Sequence, residues 1–262
     1  MKLGVCIPLN PEKLEGIKTN VKDLGAEYLE GNYYALSNLE QKDFDKIIAY
    51  TKEIDLPITH ANAFLGSMNI FDSAELLKEG EEFVKRSFER FSKTDLRHIT
   101  FGSGVSRTSN ENRGIEKTKE IFGEFCFNTV VPLAKDYGYT IGIEPLNSDE
   151  TDTFNTAAET FEFVKSINLP NVKMIVDYFH FSKENENPAD LIKYKGYISH
   201  LHIASIDGRT NPIPNINEDA KYKAFLNAVK PAIDENVCLS IEGAITNPLD
   251  LSFDYLKKLT RR

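Results

Sequence analysis

Short apolar runs alternate along the whole chain with longer stretches in which apolar residues recur at helical spacing. Runs at 3–8, 27–31, 57–61, 98–101, 141–147, 172–177, 198–204 and 237–243 have strand character, being apolar or β-branched and closed by Gly, Pro or a polar residue. Between them, one-sided apolar faces predict helices, as with Leu76, Leu77, Phe83, Val84, Phe88 and Phe91, or Phe161, Val164 and Ile167. Start and stop signals fall in the gaps. Asn10 precedes Pro11, Ser37 precedes Glu40 with a helix reaching about residue 54, Asp72 precedes Glu75, and Thr156 precedes Glu159. A helix over 115–137 is expected to stop at Gly138, and Asn187-Pro188 and Asn247-Pro248 open two more.

Eight strand–helix units in 262 residues predict an α/β chain folded as one (β/α)₈ TIM barrel over residues 1–262. A doubly wound open sheet would show a glycine-rich turn after the first strand, and Pro8-Leu9-Asn10 is not one.

Composition narrows the function. A net charge of −9 argues against a nucleic-acid surface, which needs clustered Lys and Arg. Cys6, Cys126 and Cys238 are odd in number and far apart, as expected of a chain in a reducing cytoplasm. The opening run at Met1 is too short for a signal peptide, and no apolar run reaches membrane-spanning length. Oligomeric state is not legible: Tyr33, Tyr34 and Phe64 suit either a homo-oligomer contact on the loop face or the core.

The chemistry sits where strands end. Apolar runs deliver Glu30, His60, Ser103, Glu144, Asp177, His202 and Glu242, and barrel active sites form at the carboxyl ends of the strands. Alternation puts Gly142 with Glu144, Ile175 with Asp177, His200 with His202, and Ser240 with Glu242 on one face. One such carboxylate is more often a cap or an ion-pair partner than a ligand. Four polar groups at equivalent ends would require that accident to repeat. Glu144, Asp177, His202 and Glu242 offer three hard carboxylates and one imidazole, a set suited to one divalent cation: Mn²⁺, Mg²⁺ or Co²⁺, with Zn²⁺ also accommodated. Glu30 and His60 stand evenly between substrate contact and structural ion pair. His200 is expected one layer deeper, and Cys238 in the core.

At these residues the chain resembles the xylose isomerase-like TIM-barrel superfamily, which includes D-tagatose/D-psicose 3-epimerases, hydroxypyruvate isomerases, inosose dehydratases and endonuclease IV-type AP endonucleases. Ile143-Glu144-Pro145-Leu146-Asn147 looks like the epimerases' first ligand motif, and Glu150 matches their substrate-binding glutamate. Asp177-Tyr178-Phe179-His180 resembles the family's D-x-x-H, with Asp177 on the metal and His180 on the substrate. His200-Leu201-His202 resembles its H-x-H strand, and Ile241-Glu242-Gly243 supplies the last ligand. The family's substrate arginine falls on Gly208, with Arg209 one position later.

The resemblance implies a sugar or hydroxy-carbonyl isomerase or epimerase. Glu144 and Glu242 would move protons through a metal-stabilised enediolate, and Glu150, His180, Arg209 and His60 would contact the substrate. The same site leaves three other readings open. They are an endonuclease IV-like phosphodiesterase, an inosose-type dehydratase and a non-catalytic sugar-binding barrel. Phe101-Gly102-Ser103-Gly104 lacks the histidine that the endonucleases carry there.

Overall fold

The eight apolar runs pair side by side in chain order and close on themselves. In the computed structural model, which describes residues 1–260, the strands are β1 (Leu3–Cys6), β2 (Tyr28–Asn32), β3 (Ile58–Asn62), β4 (His98–Phe101), β5 (Thr140–Ile143), β6 (Val172–Asp177), β7 (Ile198–Ile203) and β8 (Cys238–Ile241). All pairs are parallel and β8 pairs with β1, so the sheet is a closed barrel with no edges. Helices cover it outside, among them Gln41–Glu53, Ala74–Phe91, Ala157–Ile167, Asp219–Val229 and Leu249–Thr260. This is the (β/α)₈ barrel that the pattern predicts. Among the described residues, no helix is long and apolar enough to cross a membrane.

Ala74–Phe91 shows how the helices dock. Phe83, Val84, Phe88 and Phe91 are fully buried. Each such side chain contributes roughly 1.5–3 kcal/mol relative to exposure. Leu76, expected on the same face, is 36% exposed in the first turn of the helix. Tyr33 and Phe64 are fully buried core residues: Tyr33 stacks on Phe91 with centroids 4.8 Å apart and donates to Ser87 Oγ at 2.9 Å. Neither side chain is available to a partner at the loop face.

Several helix starts differ from the sequence signals. Ser73, not Asp72, caps Ala74–Phe91 by accepting from Leu76 N. Asp72 instead holds Arg113 at 2.8 Å. Ser37 ends a short helix, Tyr33–Ser37, and its hydroxyl donates back to Tyr33 O, so Glu40 begins Gln41–Glu53 without a side-chain cap. Asn10 makes a local turn to Glu12 N, and the helix there starts only at Glu15. The expected helix over 115–137 runs as Gly114–Phe125 and Val131–Tyr137 through a π-helical turn at Cys126–Val130, and Gly138 ends it in the left-handed region at φ 72°. Thr156 caps Ala157–Ile167 as expected.

The barrel interior is polar as well as apolar. Gly142 leaves room for His98, whose Cε1 would lie 2.6 Å from a Cβ there. His60, His98 and His200 stack against one another, with His60 and His200 centroids 4.3 Å apart. Above this layer lie the strand ends.

Candidate metal centre

Glu144 follows β5 directly, and its N–H continues the ladder by donating to Phe101 O at 3.2 Å. Pro145 ends the pairing there because it has no N–H. The Glu144 carboxylate lies flat over the end of β4: a Cβ on Gly102 would come within 2.2 Å of Oε2. Arg107, itself fully buried, donates from Nη2 to Glu144 O at 2.6 Å and fixes the main chain from behind.

Asp177 is the last residue of β6 and the N-cap of the helix Tyr178–Lys183, its Oδ1 accepting from Phe179 N at 2.7 Å. Its other oxygen, Oδ2, is buried without any hydrogen-bond donor. His202, on β7, is fully buried with Nδ1 3.2 Å from Glu144 Oε1 and 3.5 Å from Glu242 Oε2. Glu242 follows β8, its N–H donating to Ile203 O. Asn62, at the end of β3, donates to Glu242 Oε1 at 2.7 Å. Glu144, Asp177, His202 and Glu242 each present one donor atom, and these lie within 4.8 Å of one another.

Three carboxylates this close repel. Burial and then Glu242 push the Glu144 carboxyl above its ordinary value, and the same two causes push Asp177 well above it. Burial acts upward on Glu242 as well, but His202 and Arg209 outweigh it and hold that carboxyl low. His202 is displaced the other way: burial opposes its protonation, yet Glu30, Glu242 and Glu144 hold it well above the usual imidazole range. Asp177 Oδ2 has no hydrogen bond, the Arg209 guanidinium 3.7 Å away being its nearest cation, and a buried carboxylate oxygen left so beside two more carboxylates is a cradle for a cation.

Arg209 and His180 form the rim. The Arg209 guanidinium lies over Phe179, 4.8 Å from the ring centroid. It donates from Nη2 to Glu242 Oε2 at 2.9 Å and from Nη1 to Glu150 Oε1 at 3.0 Å. Its backbone is left-handed at φ 48°, after Gly208 at φ 71°. His180 Nδ1 accepts from Asn147 N at 3.1 Å, and its Nε2 lies 3.3 Å from Arg209 Nη2 and 3.6 Å from Asp177 Oδ2. Burial, then Arg209, lowers the His180 pKa to about 3, so the ring is neutral.

Residues 19–259 match the family described as the xylose isomerase-like TIM barrel. The chain belongs to that family. A D-psicose 3-epimerase of Agrobacterium fabrum is 28% identical over 149 residues, 53% of this chain and 48% of that protein. The chain thus spans about half the length of the curated relatives it matches. An inosose isomerase of Halalkalibacterium halodurans is 26% identical over 71% of this chain and 66% of its own. In fold, the D-psicose 3-epimerase of Clostridium cellulolyticum H10, solved with D-tagatose, superposes with a TM-score of 0.81 at 18% identity over 100% of both chains.

Within this xylose isomerase-like barrel, the structure brings the four expected ligands together, with Glu150, His180 and Arg209 around them. His60 is not with them. It lies below, in the histidine layer, its Nδ1 turned to Thr59 Oγ1, and Asn62, two residues on and so on the same face, reaches the mouth instead. The alternation that flagged His60 would have flagged Asn62. Glu30 is fully buried beneath His202 rather than at the rim. Asn147 lay within the motif after β5 without a role of its own, and Arg107, on the short helix Gly104–Arg107 after β4, gave no sequence signal. After β4, Ser103 Oγ accepts from Leu65 N, and no histidine occupies that end.

Proposed function

We propose that this chain is a divalent-metal-dependent isomerase or epimerase of a sugar or related hydroxy-carbonyl compound. The observation that carries the reading is Asp177 Oδ2, a buried carboxylate oxygen with no donor, facing three further ligand atoms. The donor set fits a hard cation, Mn²⁺ first, then Mg²⁺, Co²⁺ or Zn²⁺. When bound, such a cation polarises a substrate carbonyl and makes the neighbouring C–H acidic. Glu144 and Glu242 would hold it, together with Asp177 and His202.

The remaining steps belong to side chains. Glu144 and Glu242 enter from β5 and β8, which lie apart in the ring, so their carboxylates flank the mouth. One removes the substrate proton and the other returns one from the opposite side. Asn62, bonded to Glu242 Oε1, holds that carboxylate in place. Neutral His180 presents Nε2 to a hydroxyl, and Glu150 and Arg209 orient another. Relatives named D-psicose 3-epimerase and inosose isomerase, both acting on hydroxy-ketones by name, support this class of substrate. The phosphodiesterase reading is weaker. The only other cluster of potential ligands among the described residues, Cys6, Glu30 and His202, shares His202 with the first, so a multinuclear site lacks separate ligands. The three free thiols fit a reducing compartment.

Ketohexoses, inosose and hydroxypyruvate incubated with the Mn²⁺-loaded protein in D₂O test the reading. Deuterium should enter one carbon-bound position, and neither Glu144→Gln nor Glu242→Gln should support that exchange. A protein that binds one Mn²⁺ and exchanges no substrate hydrogen would refute it.

A further inference from the structure

His202 is a useful ligand only if the correct ring nitrogen faces the cation. An imidazole on a strand end can turn over, and in its neutral form it carries its proton on either nitrogen. Something below the site must therefore choose. Glu30, in the middle of β2, is fully buried. Its two oxygens are divided between two rings: Oε1 lies 2.9 Å from His202 Nε2, and Oε2 lies 2.8 Å from His200 Nε2. His200 cannot drift, because its ring is stacked on His60 at 4.3 Å and edges Tyr28 at 6.4 Å. Tyr28 is in turn tied over Gly4 of β1 to Ser240 Oγ of β8 at 2.8 Å. Glu30 is thereby braced from the side away from the metal centre.

We propose that Glu30 is a positioning residue for His202. It accepts a hydrogen bond from Nε2–H and so leaves Nδ1 as the atom that meets the cation. A carboxylate behind a ligand imidazole fixes both its tautomer and its ring orientation and makes the imidazole a stronger donor. The geometry is explicit here. The nitrogen bonded to Glu30 points down the barrel, and the opposite nitrogen lies 3.2 Å and 3.5 Å from the two catalytic carboxylates. The competing account is that Glu30 only satisfies buried histidines and stabilises the core. That account gives the bonds to His200 and His202 equal weight, whereas the positioning role acts through the bond to His202, with His200 only steadying the carboxylate.

The inference rests on the cation-binding part of the proposed function, not on the identity of the substrate. Its first test needs no variant. ¹⁵N spectra of the histidine rings in the Zn²⁺-loaded protein should show His202 protonated on Nε2 and metal-bound through Nδ1. The reverse assignment overturns the inference, even if every ketose proves inert. In the second test, Mn²⁺ titrations by calorimetry compare Glu30→Gln with His200→Asn. Glu30→Gln should weaken Mn²⁺ binding by about 10- to 100-fold and leave His202 as a mixture of tautomers. His200→Asn, which removes the other bonded ring, should lower the melting temperature while Mn²⁺ affinity stays within a few-fold of wild type. Equal losses of affinity in the two variants, in step with their losses of stability, would show a core role only. Should Glu30→Gln fail to fold, the ring spectra of the wild-type protein decide. A wild-type protein that takes up no divalent cation defeats the proposed function itself, a result distinct from a cation bound through Nε2.

Discussion

Asp177 Oδ2 lies 3.6 Å from His180 Nε2 because Asp177 both ends β6 and caps the helix that carries His180. One side chain thus splits its oxygens: Oδ1 holds Phe179 N, and Oδ2 faces the donor atoms of Glu144, His202 and Glu242. The two tasks can be separated by substitution.

Asp177→Asn keeps an oxygen for the cap and removes the charge. Its melting temperature should stay close to wild type, since Asn and Asp cap about equally well, while Mn²⁺ binding by calorimetry is lost. Asp177→Ala should lose both, with about 1 kcal/mol of additional instability from the missing cap. Wild-type Mn²⁺ affinity in Asp177→Asn would remove Asp177 from the ligand set.

Gly102→Ala forces the Glu144 carboxylate to move, because the new methyl group would lie 2.2 Å from Oε2. The expected outcome is a large loss of Mn²⁺ affinity and of substrate hydrogen exchange, with a circular dichroism spectrum like that of wild type. Unchanged affinity would mean that the Glu144 carboxylate takes another orientation.

Arg209 Nη2 is bonded to Glu242 Oε2, one of the oxygens that a cation would also take. Arg209→Gln removes that competitor and its positive charge. Mn²⁺ affinity should rise several-fold, while the KM for an exchanging ketose also rises because Glu150 and the rim lose their partner. A parallel fall in both affinities would contradict the competition.

Glu186 offers a pH test remote from the centre. It accepts from Ala157 N through both oxygens, at 3.0 and 3.1 Å, where the helix Ala157–Ile167 begins. Burial pushes its pKa up from 4.5 to about 7. The folded state therefore binds this proton more tightly than the unfolded state does. Its stability contribution is complete below pH 4.5 and declines as pH rises to about 7. Thermal melts should show Glu186→Gln matching wild type near pH 5 and exceeding it at pH 8. A difference independent of pH would exclude this linkage.

Helix caps show the limits of local signals. A serine or aspartate with an acidic residue three positions on recurs by chance, and Asp72, Ser37 and Asn10 were all taken up by other partners. Arg209 shows a different limit. Counting residues leaves it one place late, but consecutive left-handed residues at Gly208 and Arg209, and the bridge from Thr210 to Ala244, fold the loop back over β8. Only the paired loop and strand reveal that its guanidinium reaches Glu242.

Sequence alone was enough to determine the eight-unit barrel and the four side chains that converge at its mouth, because strand alternation and apolar runs ending in Glu, Asp or His are properties of neighbouring residues. Height within the barrel was decided by the tertiary structure. Glu30, His60 and His200 carry the same chemistry as Glu144 and His202, yet they lie beneath the mouth. Register shifts at Leu29/Glu30 and Met174/Ile175 help to set those levels. Such offsets arise from pairing between distant segments as the sheet closes, and no local pattern encodes them.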